Sequence, residues 1–432
     1  MTTNQELQAI RDAATPRGIG IQTGIFADKA RNAELWDVEG RRYIDLAAGI
    51  AVCNTGHNHP AVIAAVTAQL QRFSHTCFQV APYDVYVTLA ARINDIAPGD
   101  TAKKTIFLTT GAEAVENTVK IARKFTGRNA VISFSGSFHG RTMMALALTG
   151  KVIPYKAGFG PFPAEVFHVP FPIDYHGISA DDSLAALDKL FKSDIEPTRV
   201  AAIIIEPVQG EGGFYPAPAG FLQEIRDVCD THGMLMIVDE IQTGFGRTGK
   251  MFAVEHAGIE PDLMTIAKGL AGGFPLAGVV GKAAIMDAVD PGGLGGTFGG
   301  SPIGCAAGHA VLDVIASEDL CNKALAIGEQ VRGWAEQLTR ETHCIGDIRI
   351  MGAMCAIELV GNGAANSPLP ELAKAVAAEA AEQGVILLTC GVRGNVIRFL
   401  PPLTIAEQLL AEALATVGNI IRDKDGTMRK AS

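Results

Sequence analysis

Aromatic side chains are scarce in this chain: they make up 6% of its 432 residues, and two of those residues are tryptophan. Basic residues are also in deficit, 36 Lys and Arg against 46 Asp and Glu, which leaves a formal net charge of −10. A chain this acidic lacks the field that holds nucleic acid or an anionic membrane, so neither is expected as a partner. A small anionic substrate can still bind through local arginines. No apolar run approaches the length of a membrane span, and residues 1–18 contain no hydrophobic core of a secretory signal. None of the eight cysteines, at 53, 77, 229, 305, 321, 344, 355 and 390, forms a C-x-x-C pair, and most sit in apolar runs. They read as reduced, mostly buried thiols of a cytoplasmic protein. Internal repeats and low-complexity tracts are absent too.

What is abundant is glycine, 48 residues, together with an apolar fraction of 48% and a charged fraction of 19%. This is the profile of an α/β metabolic enzyme with many tight strand–helix turns, and the length suffices for two or three domains. The chain is organised around residues 234–268. The run MLMIVDE ends in Asp239 and Glu240; IQTGFGRTGK follows; a second apolar run, 262–267, delivers Lys268 and the loop GLAGGFPLAG. Two buried strands that each end in an ionisable group place those groups in the crevice beyond the carboxyl ends of an open α/β sheet, where ligands bind. An Asp and a Lys there suit pyridoxal phosphate, with Lys268 condensing with the cofactor aldehyde and Asp239 holding the pyridine nitrogen protonated. Taken singly, each has a plainer reading: a strand-end lysine is commonly a solvated loop charge, and a strand-end Asp a turn residue. Within the same stretch Gly244-Phe-Gly246-Arg-Thr-Gly249 matches a dinucleotide fingerprint. Residues 244–250 nearly match a phosphate loop, with Met251 where Ser or Thr is required. Both patterns need a long helix opening at the last glycine, for which the following residues leave little room.

Strand, glycine turn and helix recur elsewhere. Residues 104–109 read as a strand that stops at Thr110-Gly111-Ala112 before a helix from Glu113, and free N–H groups at a helix start bind phosphate. Residues 130–135 lead to Phe138-His139-Gly140-Arg141, where Phe138 could stack on a flat ring and Arg141 clamp a carboxylate. The very apolar run 200–206 ends in Glu206 and a glycine loop carrying Glu211, and 221–232 reads as the crossover helix to the Asp239 strand. The loop 292–300 is glycine-rich around Thr297. Residues 35–45 read as a hairpin turning at Glu39-Gly40, followed by a glycine-flanked segment with Ile50. His57 and His59 have no third ligand at suitable spacing, so they read as polar turn residues and no metal site is expected. Beyond Leu320 the character changes: residues 345–358 and 384–388 alternate as strands of a separate α+β unit, and Arg398 lies inside an apolar strand, where it is costly unless paired. Residues 422–432 read as a frayed tail.

Together, Asp239-x-x-Gln242, Lys268, the Thr110-Gly111 turn, Phe138-His139-Gly140-Arg141, Glu206-Pro207-x-x-Gly and Thr297 resemble the ω-amino-acid branch of the pyridoxal phosphate-dependent aminotransferases, from Pro16 to Pro402. The resemblance implies a large α/β domain with a mostly parallel sheet (56–320) and a smaller α+β domain built from both chain ends (1–55 and 321–432). It places Lys268, Asp239 and Glu206 in the catalytic group. Gly111, Ala112, Phe138, His139, Gln242 and a Thr297 lent by a second subunit join Asp239 and Lys268 around the cofactor, so a homodimer or dimer of dimers is implied. Arg398 matches the site for the carboxylate beside the reacting carbon, Glu211 the acid that neutralises Arg398 when the donor lacks that carboxylate, and Arg141 the clamp for the distal carboxylate. Ile50 matches a pocket wall whose apolar character disfavours a second charged amino group. The implied reaction is ping-pong transfer of the amino group of 4-aminobutyrate to 2-oxoglutarate, giving succinate semialdehyde and glutamate. The 5-aminovalerate and acetylornithine reactions, an aminomutase on the same fold, and a nucleotide-binding protein using residues 244–250 are the alternatives. Ala112 departs from the Ser or Thr common in relatives, which implies weaker cofactor retention; Phe138 replaces a common Tyr; and Arg349-Ile-Met-Gly352 lacks a glycine that relatives often have.

Overall fold

The computed structural model describes residues 2–431. Its centre is a sheet of β1 (Lys103–Leu108), β2 (Ala130–Phe134), β3 (Val166–Val169), β4 (Val200–Ile205), β5 (Leu235–Asp239), β6 (Leu263–Ile266) and β7 (Ala277–Lys282), in the order β1-β7-β6-β5-β4-β2-β3. The pairs from β6 through β3 are parallel, and β7 runs antiparallel to both of its neighbours. Period-two alternation sends Ile203, Ile205, Met236 and Val238 to one face and Ala202, Ile204, Leu235 and Ile237 to the other. Both faces are covered, so these runs are apolar throughout. Helix α1 (Gly111–Thr126) packs Val115, Val119 and Ala122 on the second face; α2 (Ala219–His232), the β4–β5 crossover, and α3 (Pro302–Ser317) cover the first.

After α4 (Leu320–Glu341) the chain forms an antiparallel sheet of β8 (Ile345–Met351), β9 (Met354–Leu359), β10 (Leu388–Cys390) and β11 (Val396–Phe399), ordered β8-β9-β11-β10. The hairpin of Glu34–Asp37 and Arg42–Asp45 turns through Gly40 at φ 83°, as the Glu39-Gly40 pair predicts. Val385–Ile386 then pairs in parallel with Arg42–Asp45, so both chain ends build one small sheet. The frayed tail is corrected: helix α5 runs Glu407–Ala431, and within it Asp425 is buried and accepts from the His343 amide at 3.2 Å. Docking of one face orders a segment whose composition reads as polar.

The loop 244–250 opens no helix of the length a nucleotide fingerprint needs; a 3₁₀ turn, Ala253–His256, follows it. Its Arg247 is completely buried and donates to the Pro401 carbonyl at 2.7 Å, the Ala353 carbonyl at 3.2 Å and Asn54 Oδ1 at 2.6 Å. The glycines there let the backbone bend around an internal strut between the two sheets' units, not around a phosphate.

Candidate active site

Asp239 is the last residue of β5, and its in-register neighbour on parallel β6 is Thr265. Lys268 follows Thr265 closely, so both groups emerge at the same carboxyl edge of the sheet, and both line one cavity of about 370 Å³. Gly111, Ala112, Phe138, His139, Glu206, Glu211 and Gln242 line it as well. The sequence motifs therefore converge in space.

Each group is held by neighbours. Asp239 Oδ1 accepts from Thr265 Oγ1 at 2.9 Å and the Ile241 amide at 3.1 Å, while Oδ2 meets His139 Nδ1 at 2.7 Å. Burial alone would lower the His139 pKa, but the bond to Asp239 outweighs it and the net shift is upward. The other ring nitrogen, His139 Nε2, is buried without a partner, as is Gln242 Oε1. Burial chiefly, and Arg398 secondarily, lower the Lys268 ammonium below its ordinary range. Lys268 also sits at φ 45°, a left-handed conformation that costs an ordinary residue of order 1 kcal/mol or more and persists where the surroundings over-determine it.

Glu206 ties two loops together: Oε1 accepts from the Phe138 amide at 2.9 Å and Oε2 from the Gly210 amide at 3.0 Å. Burial pushes its carboxyl up to about 7, with ionised Asp239 adding to the rise. At the start of α1, Thr110 Oγ1 takes the Glu113 amide, and Glu113 returns its carboxylate to the Thr110 amide, a capping box. The Gly111 and Ala112 amides, in the first turn, have no intrahelical acceptor, and both residues line the cavity. This end of the pocket is tight. A Cβ on Gly111 would come within 2.9 Å of Ile241 Cδ1, and one on Gly140, at φ 129°, within 2.8 Å of Ala112 Cβ. A compact cradle of free amides, an acid presented at a strand end, unpaired buried acceptor and donor atoms and an amine whose charge burial disfavours fit the pyridoxal phosphate that the sequence resemblance implies.

Arg398, mid-strand in β11 as expected, is buried and ion-paired with Glu211 on the short turn Gly210–Gly213. Burial would raise Glu211; Arg398 outweighs it and holds the carboxyl below its usual range. Four expected site residues lie outside the cavity lining: Arg398, which reaches it through Glu211, and Arg141, Ile50 and Thr297. Arg141 is exposed, with its guanidinium 5.9 Å from the Phe138 ring centre and 4.7 Å from that of Tyr155. Ile50 is 42% exposed at φ 67° in the turn Ala48–Ala51. Thr297 is exposed in the single chain. Sequence reasoning missed Val52, Ile241, Thr243 and the segment 274–276, which line the cavity, and Tyr155 beside it. Tyr155 offered one signal, an aromatic in an aromatic-poor chain set between Lys151 and Lys156.

Comparison with known proteins agrees with this geometry. A model of the class-III aminotransferases matches residues 18–421. The chain is 54% identical over 413 residues to the 5-aminovalerate aminotransferase DavT of Pseudomonas aeruginosa, covering 96% of this chain and 97% of that one. It is 52% identical over 417 residues to the 4-aminobutyrate aminotransferase GabT of Escherichia coli, covering 96% and 98%. Among solved structures it is similar to the ornithine aminotransferase of Toxoplasma gondii, with a TM-score of 0.87 at 29% identity over 100% of this chain and 97% of that one. A transaminase from the marine bacterium Virgibacillus gives a TM-score of 0.91 at 27% identity over 98% and 99%. With the motifs gathered at one sheet edge and the family model spanning nearly the full length, the chain belongs to the class-III aminotransferases.

Proposed function

We propose that the protein moves the amino group of 4-aminobutyrate to 2-oxoglutarate, using pyridoxal phosphate, in two half-reactions that share one pocket. The observation that carries this reading is the buried Arg398–Glu211 pair beside Lys268. A 4-aminobutyrate-like donor has no carboxylate next to its reacting carbon; 2-oxoglutarate has one. An arginine dedicated to that carboxylate would be left buried and unpaired in the donor half-reaction, at a cost of several kcal/mol of order. Glu211 removes that cost. Arg141, outside the cavity lining and beside Phe138, which does line it, is the clamp for the distal carboxylate that both substrates carry.

When bound, the cofactor supplies an electron sink for the carbanion left as a proton leaves the substrate carbon. The residues do the rest. Lys268 Nζ, disfavoured as an ammonium by burial, would take that proton from the substrate carbon and deliver it to the cofactor C4′ carbon on the other side of the shared nitrogen. Asp239, fixed by Thr265 and His139, would keep a proton on the ring nitrogen. The Gly111 and Ala112 amides would hold the phosphate, Phe138 would stack on the ring, and the Gln242 side-chain amide would face the phenolic side. Glu206, which lines the cavity, ties the Phe138 amide to the Gly210 amide and so keeps the Phe138 and Glu211 loops in step within the catalytic group.

The exposed Thr297 and its 62% exposed neighbour Phe298 support a homodimer in which Thr297 completes the partner's phosphate site. Eight free thiols suit a reducing compartment, and we assign the enzyme to the cytoplasm. The parallel pairing of Arg42–Asp45 with Val385–Ile386 supports a small domain of residues 1–55 and 321–432 around a large domain of 56–320. A second donor, 5-aminovalerate, is favoured by the 54% identity to DavT, and one methylene changes selectivity by about 1–3 kcal/mol. The test is the absorbance of the holoenzyme on adding 4-aminobutyrate, its recovery with 2-oxoglutarate, and kcat/KM for 4-aminobutyrate, 5-aminovalerate and acetylornithine. Preference for acetylornithine would overturn the role given to Ile50.

A further inference from the structure

The Glu211 carboxylate has two partners. Oε1 is paired with Arg398, and Oε2 accepts from the Tyr155 hydroxyl at 3.2 Å. Tyr155 is 8% exposed, and its ring does separate work: the Arg141 guanidinium lies 4.7 Å from its centre and the Phe138 ring packs against it at 4.9 Å. One side chain thus touches the groups that read both ends of a dicarboxylate.

The backbone that carries Glu211 is pinned. Its carbonyl accepts from the Gly391 amide at 3.1 Å. The Gly210 amide is held by Glu206 at 3.0 Å, and the Gly213 carbonyl by Arg349 Nε at 2.9 Å. When a carboxylate of the acceptor takes Arg398, the turn cannot carry Glu211 away; its side chain must rotate in place. A buried carboxylate stripped of its cation is costly unless other donors receive it. The donor already in contact is the Tyr155 hydroxyl. Behind it stands Lys151, with Nζ 5.7 Å from the Tyr155 ring centre and anchored to the Gly391 carbonyl at 2.8 Å.

We propose that Tyr155 is a positioning residue: its hydroxyl, backed by the Lys151 charge, receives the Glu211 carboxylate when a dicarboxylate displaces it from Arg398. Tyr155 acts through Glu211 and takes no part in the chemistry. The proposal rests on the reading of Arg398 as the proximal carboxylate site, and the test separates the two. Calorimetry on the holoenzyme compares glutarate, a dicarboxylate that spans both arginines, with valerate, which presents one carboxylate to Arg141. Tyr155→Phe keeps the ring under Arg141 and deletes the hydroxyl. Its expected effect is a glutarate Kd raised about tenfold with the valerate Kd unchanged, because the hydroxyl's long bond to Glu211 strengthens once Arg398 no longer shares the carboxylate, and that gain is what the variant loses. Glu211→Gln should tighten glutarate, because Arg398 is no longer neutralised, and Tyr155→Phe should add nothing in that background. If Glu211→Gln leaves glutarate unchanged, the switch itself is wrong. If it tightens glutarate while Tyr155→Phe is silent, weakens both ligands alike, or is as damaging without Glu211, the role of Tyr155 is wrong.

Discussion

Glu240 lies one residue beyond Asp239 and points the other way, into the core. It is completely buried; Oε2 accepts from Thr243 Oγ1, and Oε1 from the Val254 amide at 2.7 Å. Burial pushes its carboxyl up to about 7 from an ordinary 4.5, against the pull of those hydrogen bonds. Because the folded value is raised, the stability that Glu240 leaves intact is fully present below about pH 4.5 and is lost as pH rises through about 7. The ionised group costs the fold about 3 kcal/mol, taking 1.36 kcal/mol for each tenfold change in proton affinity. Glu240→Gln removes the titration and can keep the pattern, with an amide oxygen for Val254 and an NH₂ for Thr243 Oγ1. We expect thermal or urea unfolding of the variant and the parent to coincide near pH 4.5 and to diverge as pH rises. Above about pH 7.5 the variant should be more stable by up to about 3 kcal/mol. Glu206 titrates in the same range in both proteins and cancels from the difference. Parallel pH profiles would refute the reasoning, as would a variant that is less stable throughout, since either result means that the ionised carboxylate is welcome where it sits.

Arg247→Met should destabilise by about 3 kcal/mol or more in urea, since three buried acceptors lose their donor; an unchanged midpoint would deny Arg247 its role as a strut. Ala112→Ser offers one more hydroxyl to the phosphate cradle proposed at the start of α1. We expect cofactor loss on dialysis, followed by absorbance, to slow about tenfold, the effect of one charge-assisted hydrogen bond; faster loss would mean that the close approach of Gly140 leaves no room for the oxygen.

Much of the fold was legible because the central strands are buried on both faces. Val200–Ile205 is buried at every position, and so is Leu235–Asp239, so continuous apolar runs mark them without help from periodicity. The tail from Arg422 was not legible, because its order comes from docking and not from composition: Asp425 is polar in the sequence and buried in the fold. Residues 244–250 were legible only in the negative. Their glycines match phosphate-binding patterns that Met251 and the short run after them already count against, but nothing local shows that the loop serves a guanidinium that looks inward.

The site divides along the same line. Asp239, Lys268, Gly111 and Glu206 could be read because each stands where a strand ends or a helix begins, and those places are visible in hydrophobic pattern. Arg398 could be read because of its cost, but its partner could not be read from spacing: Glu211 is 187 residues away. Tyr155 had neither clue. It sits in a loop, where no period constrains the face, and its hydroxyl and ring matter through two residues at unrelated positions, Glu211 and Arg141. Cost thus locates a buried charge in a sequence, whereas the group that lets such a charge change partners becomes visible when the fold shows what surrounds it. In a pocket proposed to accept one carboxylate and then two, that second kind of residue is the one expected to set how readily Glu211 leaves Arg398.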